Sequence, residues 1–376
     1  MVFAVLTLVV ALGVLLLRDT GSEAASGPRT DDLPAPPTVA ATIPVGAQPA
    51  EIAFVPGSPN AYVSNTGDHT VSVLDTTTDI VTGTIRVGPE PAALAAHAAA
   101  GKLYVANKGD STVSVVDLAS RTVTHSIQVG YQPWDVAVDT ATNTAYVTNR
   151  LDDTVSVIDT NTDTVKRTVP LSGGDSSVGE TAQQVVADPV THRAFATGVD
   201  HTTVTVIEPN THESKVVPAD TSPGGALVDP ETHHAYIANY HGQSLTVIDT
   251  RTLAVVATVA TDIYPDDMVV DSATHTLYLL CREGTLSKID TTTNTITATL
   301  RLPPEQDELA VDPHSDTAYI TSEFTDDVTV VDTATLTVIP DEPPKGAKPG
   351  AVEVDPATGD AYVLNTAGNS VSVISR

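Results

Sequence analysis

One five-residue phrase returns eight times along this chain. It reads AYVSN from 61, LYVAN from 103, AYVTN from 145, AFATG from 194, AYIAN from 235, LYLLC from 277, AYITS from 318 and AYVLN from 361. A second phrase follows each copy: VSVLD, VSVVD, VSVID, VTVIE, LTVID, LSKID, VTVVD and VSVIS. A fixed internal period means a repeat architecture, in which each unit buries its apolar face only against its neighbours.

The alternation in VSVID has the two-residue period of a strand with two unlike faces. Its closing Asp opens a D-T-x-T turn, where a carboxylate can accept hydrogen bonds from nearby amides. A third strand such as TVTHSIQVG comes next, then a Gly-x-x-Pro corner and a fourth strand such as WDVAV. Four strands in about 42 residues is the content of one propeller blade. With the strands named a (DVAV), b (AYVTN), c (VSVID) and d (TVKRT), the chain holds eight of each. The first d strand, Val39 to Gly46, precedes every a, b and c, and the last abc set, Ala351 to Ser375, has no d after it. The two ends therefore complete one blade and hide both sheet edges. The expected fold is an all-β, eight-bladed β-propeller of four-stranded blades closed by its N-terminal strand, with seven blades plus an extra segment as the alternative.

The phrases AYVTN and VSVIDT make residues 37 to 376 resemble the YVTN-repeat β-propellers of archaeal surface-layer proteins and of bacterial secreted or periplasmic proteins. The resemblance implies the fold and an extracytoplasmic setting. It implies little chemistry, because the shared motifs are strand and turn residues. Familiar members have seven blades, so the count of eight departs from them. Blade four departs too, with Phe195 for Tyr, Gly198 for Asn and a longer entry loop.

Ahead of the repeats, Val2 to Leu17 is an unbroken apolar run. It is shorter than the ~20 residues that span a bilayer comfortably, so residues 1–17 read as a signal-peptide core or, if uncleaved, a membrane anchor. The run lacks a basic leader, which suggests a start codon further upstream. Residues 18–36 are polar and Pro-rich, a linker composition. The expected location is secreted or cell-surface, with membrane contact only through this segment. A net charge of -29 argues against nucleic acid as a partner. The single cysteine, Cys281, excludes an intrachain disulfide, a CxxC pair and a cysteine zinc cluster.

Chemistry has to be sought where blades depart from consensus. Seven of the ten tyrosines are the strand-b aromatic of a blade and read as core. Tyr131, Trp134, Tyr240, Tyr264 and Phe324 lie outside that pattern. Four fall in d-to-a or b-to-c connections and Trp134 just past a d-to-a corner, which sets all five on one face of a propeller, here called the top. Arg150, His241 and Arg282 belong to the same loops and supply hydrogen-bonding groups. The strand-b aromatics are 41 to 43 residues apart except for 49 between Tyr146 and Phe195. The extra residues, 172–180, are Gly- and Ser-rich and enter blade four on the top, where a lid over a site would lie. These eight side chains are the expected ligand-binding set.

Two metal readings compete with this. His192, His233 and His275 share a column three residues before the strand-b aromatic. Its other members are Pro59, Gly101, Asn143, Asp316 and Gly359, a composition typical of a turn at positive φ. A second column, at the start of strand a, runs Glu51, Ala93, Asp135, Gln184, Gly225, Asp267, Glu308, Ala351. Glu51, Asp135, Asp267 and Glu308 form the alternative site, for a hard divalent cation. DTNTD from 159 lacks the Gly and Glu of a calcium loop and reads as an ordinary c-to-d turn.

GxSxG, HExxH, GxGxxG and phosphate-loop motifs are absent. The leading expectation is a non-catalytic propeller, without a cofactor, binding an extracellular ligand or protein through its top loops. A metal-assisted lyase or lactone hydrolase built on the acidic column is the enzymatic alternative. A structural component of the cell envelope is the third.

Overall fold

In the computed structural model, residues 37–172, 181–211, 213–340 and 347–376 are described. The apolar run at 2–17, the linker at 18–36 and the insertion from Gly173 to Glu180 lie outside the described residues. Among the described residues, no helix is long and apolar enough to cross a membrane.

Eight four-stranded antiparallel sheets make up the propeller. Blade three shows the plan: β10 (Pro133–Asp139), β11 (Thr144–Asn149), β12 (Thr154–Asp159) and β13 (Thr164–Pro170) pair in chain order from the channel outwards. Blade eight has the order β1 (Thr38–Pro44), β32 (Ser370–Ser375), β31 (Ala361–Asn365), β30 (Pro349–Val354). Strand β1 pairs with β32 from Thr38 opposite Ser375 to Pro44 opposite Ser370. The ring is therefore eight-bladed and closed by its N-terminal strand, and the seven-blade alternative falls.

Each strand-b aromatic belongs to the core of the following blade. Tyr62 packs with Leu94, Leu103 and Val105 of blade two, Tyr104 with Ala145 and Val147 of blade three, and Tyr362 with Ile52, Val63 and Leu74 across the seam in blade one. In blades two, five and eight the phenol reaches the c-to-d turn of that next blade. Tyr104 Oη donates to Asp163 Oδ1 at 2.8 Å, and Tyr362 Oη donates to Asp79 Oδ1 at 3.1 Å. Blade four carries Phe195 instead, and the equivalent turn residue ahead of it is Leu253, which packs on the Phe195 cluster. Leu336 takes the same turn position against Tyr278, so leucine there is met by either ring.

The final Asn of the strand-b phrase fastens strand b to strand c. Asn149 Nδ2 donates to Thr154 Oγ1 at 3.0 Å and to Ser156 Oγ at 2.9 Å, and Asn65 and Asn107 do the same with their own Thr and Ser. Its bulk explains the corner glycine: a Cβ on Gly46 would lie 2.6 Å from Asn65 Cγ. In the D-T-x-T turns the Asp carboxylate accepts amides as expected, Asp75 Oδ1 from Thr77 N at 2.9 Å and Asp159 Oδ1 from Asn161 N at 2.8 Å.

The histidine column is a turn position. His192, His233 and His275 have φ of 60°, 58° and 53°, as do Asn143 and Asp316 at 51° and 50°. Blade one differs, placing its positive φ at Gly57 rather than Pro59. Cys281 is fully buried, and burial pushes its thiol up to about 12, so it packs as a small apolar residue.

Two outcomes follow. Phe195→Tyr sets a hydroxyl against Leu253 and should cost about 1–3 kcal/mol of unfolding free energy, while adding Leu253→Asp should recover much of it. Chemical denaturation of the double-mutant cycle measures this, and additive effects would show that the hydroxyl does not meet the turn. Deleting residues 37–46 uncovers the outer edge of β32 and should lower the melting temperature and promote aggregation. Unchanged melting would show that closure does not depend on β1.

Candidate functional site

The register of strand a slips just after the corner proline, between Pro133 and Val136 in blade three and between Pro265 and Asp267 in blade six. A slip of this kind re-aims adjacent side chains. The first residue after the proline is delivered to the mouth of the ring, and the second to the channel.

In blade three the first of these is Trp134. The Arg150 guanidinium lies 4.2 Å from its ring centroid and Lys108 Nζ lies 4.9 Å away. Across the mouth, Tyr240 stacks on Tyr264 with centroids 4.8 Å apart and planes inclined by 27°. His241 meets Tyr240 edge-on at 5.1 Å, and its Nδ1 is 2.9 Å from Ser222 Oγ. Tyr264 holds φ 58° where most other corners place Gln, Glu, Ser or Lys. A bulky residue in that backbone region needs compensation, which the stack supplies. Arg282 Nε donates to Glu305 Oε2 at 3.1 Å, and its NH2 group is 3.9 Å from Asp307 Oδ1.

Trp134, Arg150, Tyr240 and Arg282 line one cavity of about 430 Å³, together with Asp266 and a Gly224–Gly225 floor. The two glycines differ in origin. A Cβ on Gly225 would lie 2.2 Å from the Asp266 carbonyl oxygen, so close approach of the chain requires glycine there. A Cβ on Gly224 would meet nothing within 4 Å. The cavity exists where blade five omits the side chain that blade three provides as Trp134.

The other sequence candidates lie elsewhere. Tyr264 and His241 support Tyr240 from behind. Tyr131 is 67% exposed and Phe324 79% exposed, both outside the cavity lining, so neither joins this site. Of the insertion 172–180, only Ser172 is described. Its carbonyl accepts the Thr203 hydroxyl, and its amide donates to Thr205 Oγ1 at 3.1 Å.

Beside this cavity lies the channel, a space of about 380 Å³ walled by Glu51, Asp135, Gln184, Asp267, Glu308 and Glu353. Strand a is the inner edge of every blade and presents amides with no strand to pair with. The acidic column answers that need. Asp135 Oδ2 accepts from Val185 N of the next blade at 2.8 Å, Asp267 Oδ2 from Leu309 N at 2.7 Å and Glu308 Oε2 from Val352 N at 3.4 Å. The neutral Gln184 does the same through Oε1, from Ala226 N at 2.7 Å. The second oxygens of Asp135 and Asp267 accept from Val136 N and Met268 N. The residues of the alternative cation site are thus clamps between blades, and among the described residues no group of three or more His, Cys, Asp or Glu is arranged to hold a metal ion.

Burial raises these carboxyls. Asp135 is pushed up to about 6 against the pull of its two amide donors. Glu51 is raised by burial and then by Asp135 and Glu308, and Glu308 by burial and then by Asp267 and Glu353. Glu353, raised to about 7 by burial and Asp267, was missed in the sequence. Its signal is the charge in AVEVD, where the other seven strands place Ala, Val or Leu. Asp266 was missed too, although Asp266-Asp267 is a doubled acid after the corner proline.

A family model described as YNCE-like beta-propeller matches residues 88–173, from the end of blade one into blade four's entry. That match and the eight-bladed ring fit a YVTN-type β-propeller family. No curated protein matches it. Among solved structures, the Kuenenia stuttgartiensis hydrazine synthase is similar with a TM-score of 0.60 at 20% identity, over 88% of this chain and 96% of that one. The dihydro-heme d1 dehydrogenase NirN in complex with DHE is similar with a TM-score of 0.67 at 16% identity, over 90% of this chain and 80% of that one. At these identities the likeness is one of fold.

Raised carboxyls carry a pH signature. A carboxyl whose folded pKa lies above its unfolded value favours the folded state while protonated, and that contribution is lost as pH rises through the folded value. The channel acids should therefore erode stability as pH rises from the ordinary carboxylate range through about 7 for Glu353 and about 8 for Glu308. Glu308→Gln keeps an acceptor for Val352 N and removes a charge. It should raise the melting temperature more at pH 8 than at pH 5, and equal shifts at both would refute the assignment.

Proposed function

We propose that this propeller is a non-catalytic binding protein whose ligand, a small organic molecule, enters the top-face cavity between blades three and six. The observation that carries the reading is the side-chain-free position at Gly224. It opens a cavity of about 430 Å³, within the range of small-molecule sites, and is flanked by Trp134 and Arg150 on one side and by Tyr240 and Arg282 on the other. Trp134 is on β10, and Arg150, Tyr240 and Arg282 each directly follow the last residue of a strand b, so all four are held close to the sheets; a few polar groups set in an aromatic wall are what orients a bound molecule. The acidic column is engaged in holding blades together, which favours binding over the metal-assisted lyase or hydrolase. The apolar run at 2–17 supports export, so the ligand would be met outside the cytoplasm.

Filling the cavity tests this without disturbing the fold. Gly224→Leu has room for its Cβ, so the variant should match the parent in circular dichroism and melting. Trp134 is the sole tryptophan, and its emission reports the site in a screen of small organic compounds. Compounds that shift the parent's emission and melting should lose at least about tenfold in affinity on the variant, or about 1.4 kcal/mol. Binders that treat parent and variant alike would place the site elsewhere.

A further inference from the structure

Blade four gives up the strand-b asparagine that fastens strand b to strand c in five other blades. Gly198 stands in its place, and a Cβ there would lie 2.8 Å from the His201 ring. The strand-c hydroxyls freed by this exchange turn to the corner that enters the blade. Thr203 Oγ1 donates to the Ser172 carbonyl, and Ser172 N donates to Thr205 Oγ1 at 3.1 Å. His201, only 1% exposed, sets Nδ1 3.2 Å from the same Ser172 carbonyl and Nε2 3.0 Å from Asp153 Oδ1 in the b-to-c loop of blade three. That carboxylate oxygen also accepts the Thr181 hydroxyl. Ser172 and Thr181, the described residues on either side of 173–180, are thus both tied to one buried histidine–aspartate pair.

The partners fix the protonation state of the ring. A carbonyl oxygen only accepts, and Asp153 Oδ1 already accepts from Thr181. A neutral imidazole has one nitrogen without a hydrogen, so either tautomer would leave a lone pair facing an acceptor. Both bonds form together only on the imidazolium. Burial opposes that charge, while the bond to Asp153, the charge of Asp153, the Ser172 carbonyl and Asp200 favour it, and the balance raises the His201 pKa. Among the described residues, Thr181, Thr203 and Ser222 around this pair are uncharged, and the Arg150 guanidinium, from the same loop as Asp153, lies over the Trp134 ring.

We propose that His201 is a pH-sensitive latch, which as an imidazolium pins the entry of blade four to blade three and on losing its proton lets one side go. A group whose folded pKa is raised adds stability that is fully present below its unfolded value and is lost as pH rises through the folded value. The latch continues into the wall of the top-face cavity. Thr181 N donates to the Arg150 carbonyl at 3.1 Å, and Val199 N donates to the Thr181 carbonyl at 2.9 Å. Arg150 and Val199 both line that cavity. On the reading of the cavity as the binding site, release at Thr181 makes one wall of that site pH-dependent.

Three ligand-free measurements on the full chain test the latch, so its outcome is separate from that of the binding site. Nitrogen NMR of the His201 ring should show both nitrogens protonated at pH ~6 and a titration above the ordinary histidine value of about 6.5, which Asp153→Asn should bring down. In hydrogen exchange, the protection factors of the Thr181 and Val199 amides should fall by about tenfold or more as pH rises through that titration. In His201→Gln they should be low and level with pH. The deficit of that variant's melting temperature against the parent should also shrink as pH rises, the channel acids being common to both. A ring that is neutral at pH ~6 beside a protonated Asp153 would overturn the proposal. So would parent amide protection that stays level through the titration, the result expected of a purely structural histidine. If His201→Gln does not fold, the two measurements on the parent decide.

Discussion

No blade of this propeller is complete without the next. The strand-b aromatic leaves its own sheet to fill the core of its neighbour, and where it is tyrosine it can reach the neighbour's c-to-d turn. Because that contact recurs at every junction, it sets the angular spacing of the blades and carries order around the ring. At the seam it does more. Tyr362 is buried with Ile43 and Ile52 and bonds Asp79, so the closing blade is joined to blade one by core packing as well as by the β1–β32 ladder. Only with the ring shut do loops from blades three, five and six, distant in sequence, come to face one another across one cavity.

Most of this was legible because it is local or periodic. Alternation in VSVID gives a strand, D-T-x-T gives its turn, and the displaced d strand at Val39 to Gly46 gives the closure by counting. The histidine column was decided by the company it keeps, Gly, Asn and Asp, because positive φ restricts the residue types at a turn. The acidic column was harder. Its partner is a backbone amide one blade away, and an amide carries no residue signature. Once the hydrogen bonds are seen, Gln184 in the same column is the informative member, since a neutral acceptor serves as well as a carboxylate. The pairing of Phe195 with Leu253 was hidden for a related reason: each departs from consensus in a different repeat, and only packing connects them.

Site legibility was divided along the same line. Departures that add a large side chain, such as Trp134, Tyr240, Arg150 and Arg282, stand out from a repeat background, and the structure sets all four around one cavity. Tyr131 and Phe324 depart equally in sequence yet sit in open solvent, because position on the top face alone does not say which way a loop side chain turns. The cavity itself was invisible, since it comes from a missing side chain at Gly224. A glycine in a variable column has several explanations. Only the empty space above this one, set beside the crowding at Gly225, separates a site from a packing requirement.

The same scaffold demand that builds the ring also shapes the field at its mouth. Inner-edge amides have to be satisfied, and meeting them with aspartate and glutamate puts charge into a confined space where burial raises every carboxyl and neighbouring acids add to it at Glu51, Asp267, Glu308 and Glu353. That cost is offset at each clamp by charge-assisted hydrogen bonds to backbone amides, which are stronger than neutral ones. Blades four and five relax the demand, one with Gln184 and the other with Gly225, and the cavity opens over that less charged stretch. At its blade-three end Arg150 and Lys108 lie over the Trp134 ring, beside a channel lined with carboxylates. The charge of the channel and the opening beside it thus both follow from how the blades are held together, with Trp134 at its edge as a residue the repeat does not need.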